Sequence, residues 1–507
     1  LSEIVDAPAA VTPIHHWIGG RAVPGQSGRS GPVYNPATGV QTGAVDFATA
    51  EQVDAAVRAA REAFPAWRAL SLSKRTELFF RIRQLLHENR GELARIVTSE
   101  HGKVLSDAAG EVARGLEVVE YCCGLPELLK GGYSEQVSAG VDVYSLRQPL
   151  GVAAGITPFN FPVMVPTWMW APALACGNTF VLKPSEKDPS VSLFVADLLR
   201  QAGVPDGVFN VVHGDKVAVD AVLAHPGIDA VSFVGSTPIA RYVYETATRA
   251  GKRCQALGGA KNHMIVLPDA DVDMAADAAI SAAYGSAGER CMAISQVVAV
   301  GDVADRLVEA IAGRIPDVKV GDGMDPASEM GPLVTREHRD RVASYVENAP
   351  GEGARVVVDG RSGASAGDAQ GFFLAPSLLD DVTPGSAAYD DEIFGPVLGV
   401  ARVGTYEEAV RLVNENPYGN GTAIFTRDGG AARRFQNEVE AGMVGINVPI
   451  PVPVAYYSFG GWKASLFGDS HIYGPEGIAF YTRGKVVTSR WPDPASSRVD
   501  LGFPRNR

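Results

Sequence analysis

The chain has 507 residues, 46% of them hydrophobic and 20% charged, a globular balance too long for one ordinary core, so roughly two to four structural units are expected. A net charge of −13 argues against a nucleic-acid or anionic-membrane surface, and five cysteines without a CxxC or a zinc-like His/Cys spacing argue against a disulfide framework or a structural metal. The N-terminal Leu1-Ser2-Glu3 lacks the basic start and apolar core of a signal peptide, and the longest apolar stretch, 163–176, is broken by Pro166 and Pro172. A cytoplasmic protein is expected, or an organelle-matrix protein whose transit peptide has been removed.

Residues 51–130 carry apolar positions at helical spacing, through Val53, Ala56, Val57 and Ala60 and again through Leu78, Ile82, Leu85 and Leu86. Residues 134–154 alternate, which predicts a strand pair or extended ribbon. From 151 the texture changes to strand–helix repeats: strands over 152–156, 179–182, 208–212 and 230–234, and helices over 190–201 and 238–250, with Ser190 as an N-cap and Gly203 near the first helix's end. A second series begins at about 262, with strands over 263–267, 297–300, 399–403 and 423–425 and helices over 271–285, 304–315 and 406–414. The Gly/Ser/Ala-rich stretch 359–371 reads as a surface loop. The last strand-like run is 477–481, continuing through 486–489. Strands alternating with helices predict two doubly wound α/β domains with parallel sheets, and a strand near the end of so large a chain often completes a partner's sheet.

Cys291, in Gly288-Glu289-Arg290-Cys291-Met292-Ala293, has a cationic neighbour and small residues around it, which suits a thiolate nucleophile; a lone cysteine also serves as a small buried hydrophobe. Lys183 and Glu186, at a strand's carboxyl end, form either a grip on the two hydroxyls of a ribose or a surface ion pair, and Glu186 would repel a 2′-phosphate. Gly235-Ser236 joins a strand to a helix, where backbone N–H groups can hold a pyrophosphate or simply make a turn. Asn160, between two phenylalanines, can aim its amide at a developing oxyanion together with the backbone N–H of Cys291, or it can be a structural amide.

Five segments taken together, Thr157–Pro162, Leu182–Glu186, Phe233–Thr237, Gly288–Met292 and Glu392–Pro396, resemble the aldehyde dehydrogenase superfamily in order and spacing over nearly the whole chain. The resemblance implies an aldehyde dehydrogenase-like α/β fold: an NAD-binding domain from 1–130 and 151–259, a catalytic domain from 260–460, and oligomerisation strands within 131–150 and 474–495 that make a homodimer or homotetramer. It implies Cys291 as nucleophile and Asn160 as oxyanion donor. Lys183, Glu186 and Ser236 would hold the adenosine half of NAD, and Glu392 the nicotinamide ribose with Phe394 beside it. Backbone at Thr157, Phe159 and Gly258 would line the cofactor, with a further contact from Lys187.

One departure bears on the chemistry. Hydrolytic members carry a glutamate in a Glu-Leu-Gly-Gly-Lys-like segment upstream of the cysteine, and here that segment is Leu257-Gly258-Gly259-Ala260-Lys261. Leucine cannot take a proton from water, so a stronger nucleophile such as the coenzyme A thiol is expected to resolve a thioacyl-enzyme. Asn160-Phe161-Pro162, Ala260-Lys261-Asn262-His263, Arg290-Cys291-Met292-Ala293 and 447–453 are similar to the CoA-acylating methylmalonate-semialdehyde dehydrogenase group. That group holds a substrate carboxylate with two arginines, which fall on Arg290 and Arg114 here; a guanidinium matches a carboxylate with paired donors, although Arg114 alone would read as a helix-surface ion pair. Three local differences stand out. Ala240 replaces a usual glycine. Glu289 replaces a usual glutamine and would compete for Arg290. The aromatic segment 456–462 would reshape the substrate mouth. Cys122, Cys123, His15, His16 and His263 read as structural, the two adjacent histidines preceding an N-terminal strand. The expected reaction is NAD-dependent, CoA-acylating oxidation of malonate semialdehyde or its 2-methyl form. The alternatives are a hydrolytic dehydrogenase with a substitute base and a non-catalytic NAD-binding protein.

Overall fold

Two mostly parallel sheets, each covered on both faces, carry the cleft described below. The computed structural model describes residues 11–362, 370–492, 494–496 and 499. In the first sheet five parallel strands run in the order Arg253–Leu257, Ala230–Val234, Val152–Ile156, Thr179–Lys183, Phe209–Val211. Leu466–Phe467 pairs antiparallel on one edge, and His16–Ile18 followed by Arg21–Val23 on the other. Every residue of the three central strands is buried, which is why they read as unbroken apolar runs rather than alternating ones. Ala153, Phe180 and Leu182 face a core shared with the all-buried helix Met164–Ala175, while Val152, Ala154 and Val181 face one shared with the helix Ala50–Ala69. The latter starts on Thr49, whose side chain and that of Gln52 make a reciprocal capping box.

Strand order steps outward from Val152–Ile156 through Thr179–Lys183 and then returns to its other side at Ala230–Val234. The crevice at such a switch point, beyond the carboxyl ends of the strands, is where a doubly wound sheet leaves room for a ligand.

The second sheet runs Arg355–Val358, Ser377–Asp380, Val397–Val403, Ile294–Val300, Asn262–Val266, Gly421–Phe425, Met443–Ile446, parallel except at the Arg355–Val358 edge. A third, antiparallel sheet joins Tyr133–Ser138, Val141–Pro149 and Thr482–Arg490, the last two paired without a break from Pro149↔Thr482 to Val141↔Arg490. Among the described residues no helix is long and apolar enough to cross a membrane.

Three local expectations are corrected. Residues 477–481 are not strand: Gly474–Phe480 is a helix with Pro475 just inside its start, and the strand begins at Thr482. Short apolar runs fit either period, and packing of Ile478 and Phe480 into the core of the helix Met164–Ala175 decides it. Ser190 is the first helical residue rather than the cap; its N–H is satisfied by Glu100 Oε2 at 3.0 Å. Before residue 50 there are five strands, between Thr12 and Asp46, and His16 lies inside the second instead of preceding it. Part of the stretch read as a surface loop, 363–369, lies outside the described residues.

Phe180 is fully buried and stacks on Phe209 at 6.3 Å between centroids. Phe180→Ala is expected to cost about 3–5 kcal/mol of stability, read as a lowered denaturation midpoint; an unchanged midpoint would show that this strand is not part of the stabilising core.

Candidate active site

A cleft of about 490 Å³ opens at the switch point and is closed on its far side by loops of the second sheet. From the first sheet it takes Phe159, Asn160, Lys187, Ser236 and Gly258, and from the second Cys291, Glu392 and Phe394. These eight expected residues, far apart in the chain, therefore share one cavity. His338, Arg341, Tyr345, Asp391 and Tyr418 also line it and were not singled out by motif.

Cys291 sits between a left-handed turn and the strand Ile294–Val300. Ser286 and Ala287 have φ of 53° and 51°, followed by Gly288 at 73°. Two non-glycine residues in that region cost free energy that the surroundings must offset. The Cys291 carbonyl is held by Asn262 Nδ2 at 2.9 Å and Asn420 Nδ2 at 3.2 Å. Burial pushes the Cys291 thiol up to about 12, and the nearby Glu392 adds to this against the pull of the Cys291 and Met292 N–H groups and of Arg290. The resting thiol is thus neutral, although Cys291 keeps partial exposure through the cleft. Burial likewise lifts Glu392 to about 7, opposed by the Ala260 N–H, which donates to Oε1 at 2.9 Å.

Asn160 is buried, and its side-chain amide makes no hydrogen bond to another described residue. Its carbonyl accepts from Lys103 Nζ at 2.6 Å. Lys103 in turn pairs with Glu111 at 2.9 Å, both side chains fully buried, and stands 4.1 Å from the centroid of the Phe161 ring. The other Glu111 oxygen accepts the N–H groups of Val163 and Met164 at 2.7 and 3.1 Å, capping the helix Met164–Ala175. Sequence reading missed this pair. Its signal is a charged residue, Glu111, on the same helix stripe as Ala108, Val112 and Gly115.

Ser236 is the N-cap of the helix Thr237–Arg249 and makes no side-chain cap bond, and this helix start lines the cleft through Ser236, Thr237 and Pro238. Thr157, Lys183 and Glu186 lie beyond the cleft wall. Thr157 N donates to Lys183 O at 3.1 Å while its buried hydroxyl lacks a partner. Lys183 Nζ donates to Gly214 O at 3.0 Å and meets Glu186 at 3.4 Å, with the Glu186 side chain 41% exposed. Lys187 Nζ lies 4.5 Å from the Phe159 ring centroid.

The two arginines are not brought together by their contacts. Arg114 pairs with Glu117 at 2.8 Å and donates to Val452 O at 3.1 Å. Arg290 pairs with Asp107 at 2.7 Å. Glu289, expected to compete for Arg290, does not. It is fully buried on the other side, accepts from Val334 N at 3.3 Å, faces His338 and His101, and burial lifts it to about 8. Tyr456 and Tyr457 meet at a tilt in solvent, and the buried aromatic of that segment is Phe459, against Trp168 and Tyr473. Leu257 is buried in the first core, so position 257 itself offers no carboxylate.

Two outcomes are expected. Lys103→Met should cost about 3–5 kcal/mol by stranding Glu111, and Lys103→Met/Glu111→Leu should recover part of it in a denaturation cycle; additive losses would mean that the pair is not coupled. Glu392→Gln removes the negative charge facing the thiol, so Cys291 ionises at lower pH and its alkylation by iodoacetamide near pH ~8.5 should quicken about three- to tenfold. Slower or unchanged labelling would rule that coupling out.

The aldehyde dehydrogenase family profile matches residues 22–487. A malonate-semialdehyde dehydrogenase of Pseudomonas aeruginosa is 56% identical over 493 residues, 97% of this chain and 99% of the relative. A crystal structure of a Sinorhizobium meliloti protein described as a methylmalonate-semialdehyde dehydrogenase, complexed with NAD, superposes with a TM-score of 0.95 at 52% identity over 96% of this chain and 100% of that one. The methylmalonate-semialdehyde dehydrogenase DddC of Oceanimonas doudoroffii gives 0.94 at 54% identity, over 96% and 99%. With a cysteine, an unbonded buried amide and an uncapped helix start gathered in one cleft, and a match along almost all its length, this chain belongs to the aldehyde dehydrogenase family.

Proposed function

We propose that this chain is an NAD-dependent, CoA-acylating dehydrogenase of a short aldehyde bearing a carboxylate, with malonate semialdehyde and its 2-methyl form as substrates. The observation that carries the acylating half is Leu257, an apolar side chain where hydrolytic relatives of this architecture place a base. The residues at the switch point fit a dinucleotide. The uncapped start of Thr237–Arg249 offers N–H groups to a pyrophosphate, the exposed Glu186 carboxylate is available to ribose hydroxyls, and the Thr157 hydroxyl lacks a protein partner. When bound, NAD supplies the hydride acceptor. Residues 1–130 and 151–259 would then form the cofactor domain and 260–460 the catalytic one.

Cys291 Sγ releases its proton to solvent through the cleft, and the thiolate attacks the aldehyde carbon. The Asn160 amide and the Cys291 backbone N–H hold the resulting oxyanion. Loss of hydride leaves a thioacyl-enzyme on Cys291. The CoA thiol then attacks the acyl carbon, and the Cys291 thiolate leaves. A malonyl-type acyl group also loses its carboxylate as CO2, a proton taking its place on carbon 2, giving acetyl-CoA or propionyl-CoA; resemblance to the group implies that this loss precedes the transfer. Arg114 and Arg290 would hold the carboxylate. The ribbon sheet presents Tyr133, Val137, Leu146 and Val486 to solvent, which supports a homodimer or homotetramer built on residues 131–150 and 474–495.

One observation favours the hydrolytic reading. Glu392, lifted to about 7, is a carboxylate in the cleft that acts electrostatically on Cys291, and it is the available substitute base for water. The deciding measurement is NADH formation from malonate semialdehyde with and without CoA, with the acyl product identified by mass. Turnover that requires CoA and yields acetyl-CoA is expected. Equal NADH without CoA, with a free acid accumulating, would overturn the acylating assignment in favour of water activated by Glu392.

A further inference from the structure

Behind the catalytic loop, on the side away from the Cys291 cleft, lies a second cavity of about 560 Å³, lined by Ser106, Asp107, Tyr284, Ser286 and Arg290 among others. Arg290 also borders, with Cys291, a small void of about 20 Å³, so its side chain stands between the nucleophile and this second cavity. Its guanidinium is held there by Asp107 at 2.7 Å, with the two side chains 21% and 17% exposed. The other Asp107 oxygen is buried and has no hydrogen-bond partner, and the same holds for the Ser286 hydroxyl.

Asp107 lies in the first turn of the helix Leu105–Cys123, and Arg114 stands seven residues further along the same helix. Seven residues are two turns, so both side chains leave the same face about 10 Å apart. Arg114 reaches toward Val452 and Pro453, and the Pro453 carbonyl also accepts from the Tyr473 hydroxyl at 2.8 Å. The Arg290 guanidinium is turned to Asp107 through Nη2, so a substrate carboxylate that takes the same donor edge displaces Asp107 from it. The exchange replaces one carboxylate on the guanidinium by another, so the main Coulombic term nearly cancels. The released Asp107 is not stranded: it remains in the first turn of a helix, where the N–H groups and the macrodipole favour a negative charge, and it borders a cavity roomy enough for water. An aldehyde without a carboxylate offers Arg290 no replacement.

We propose that Asp107 is a specificity-determining residue that occupies Arg290 as an internal stand-in for the substrate carboxylate, and that carboxylate-for-carboxylate exchange at Arg290 accompanies binding of charged aldehydes. This rests on the reading above in which Arg290 holds that carboxylate. The test compares malonate semialdehyde with propanal, each with NAD and CoA, in the wild type, Asp107→Asn and Arg290→Gln. Asp107→Asn keeps the shape but weakens the competitor. It should lower KM for malonate semialdehyde about three- to tenfold, the worth of a partly exposed charge pair, with kcat and the propanal parameters little changed.

Arg290→Gln separates the two ideas. If it abolishes the preference for the charged aldehyde while Asp107→Asn leaves KM unchanged or raised, the exchange is wrong and the Arg290 assignment stands. If Arg290→Gln leaves the preference intact, the assignment itself fails, and the exchange fails with it. A drop in kcat for both aldehydes in Asp107→Asn would also overturn the exchange, since it would show that Asp107 only fixes the catalytic loop. Thermal midpoints and NAD affinity of each variant identify a folding defect, and Asp107→Glu, which restores the charge, should return KM toward the wild-type value.

Discussion

The buried Lys103–Glu111 pair ties together the parts from which the cleft is made. Two opposite charges without solvent are costly to bury, and they are retained only where every lone pair and proton finds a partner. Here Lys103 meets Glu111, the Asn160 carbonyl and the Phe161 ring, and Glu111 also takes the first N–H groups of the helix Met164–Ala175. One interaction thus docks the helix carrying Asp107 and Arg114 against the segment carrying Asn160, and it leaves the Asn160 amide free of other duties. The position of the Asn160 amide is set from behind, by Lys103 and Glu111, which do not line the cleft.

Polarity on the other wall follows the same logic. Loops from the second sheet bring Cys291 and Glu392 to one cleft, where burial raises both groups and the Glu392 charge adds to the lift on the Cys291 thiol. Asn262 and Asn420 fix the Cys291 carbonyl, so the left-handed turn over Ser286 and Ala287 persists although neither residue favours that conformation. Cys291 is held at the end of that turn by the amides of Asn262, at the start of a strand, and Asn420, between two strands.

Much of this was legible in the chain. The unbroken apolar strands and the strand–helix alternation gave both parallel sheets, because strands buried on two faces leave no ambiguity of face. Asn160 and Ser236 each follow a strand end of the first sheet, where a parallel sheet leaves its crevice, whereas Cys291 and Glu392 precede strands of the second sheet and were linked to that crevice by motif alone. The run at 477–481 was misread because a few apolar residues fit both periods, and only packing against Met164–Ala175 selects the helix.

What the sequence by itself determined is the alternation of strands and helices in the two sheets and the family, since these depend on residue type and local spacing. Partnership of charges was decided by tertiary structure. Glu289 stands next to Arg290 in the chain yet faces His101 and His338, while Arg290 turns to Asp107, 183 residues away. Adjacent side chains on an extended or turning backbone leave in different directions, so which carboxylate meets which guanidinium depends on the packing of distant helices and not on proximity in sequence.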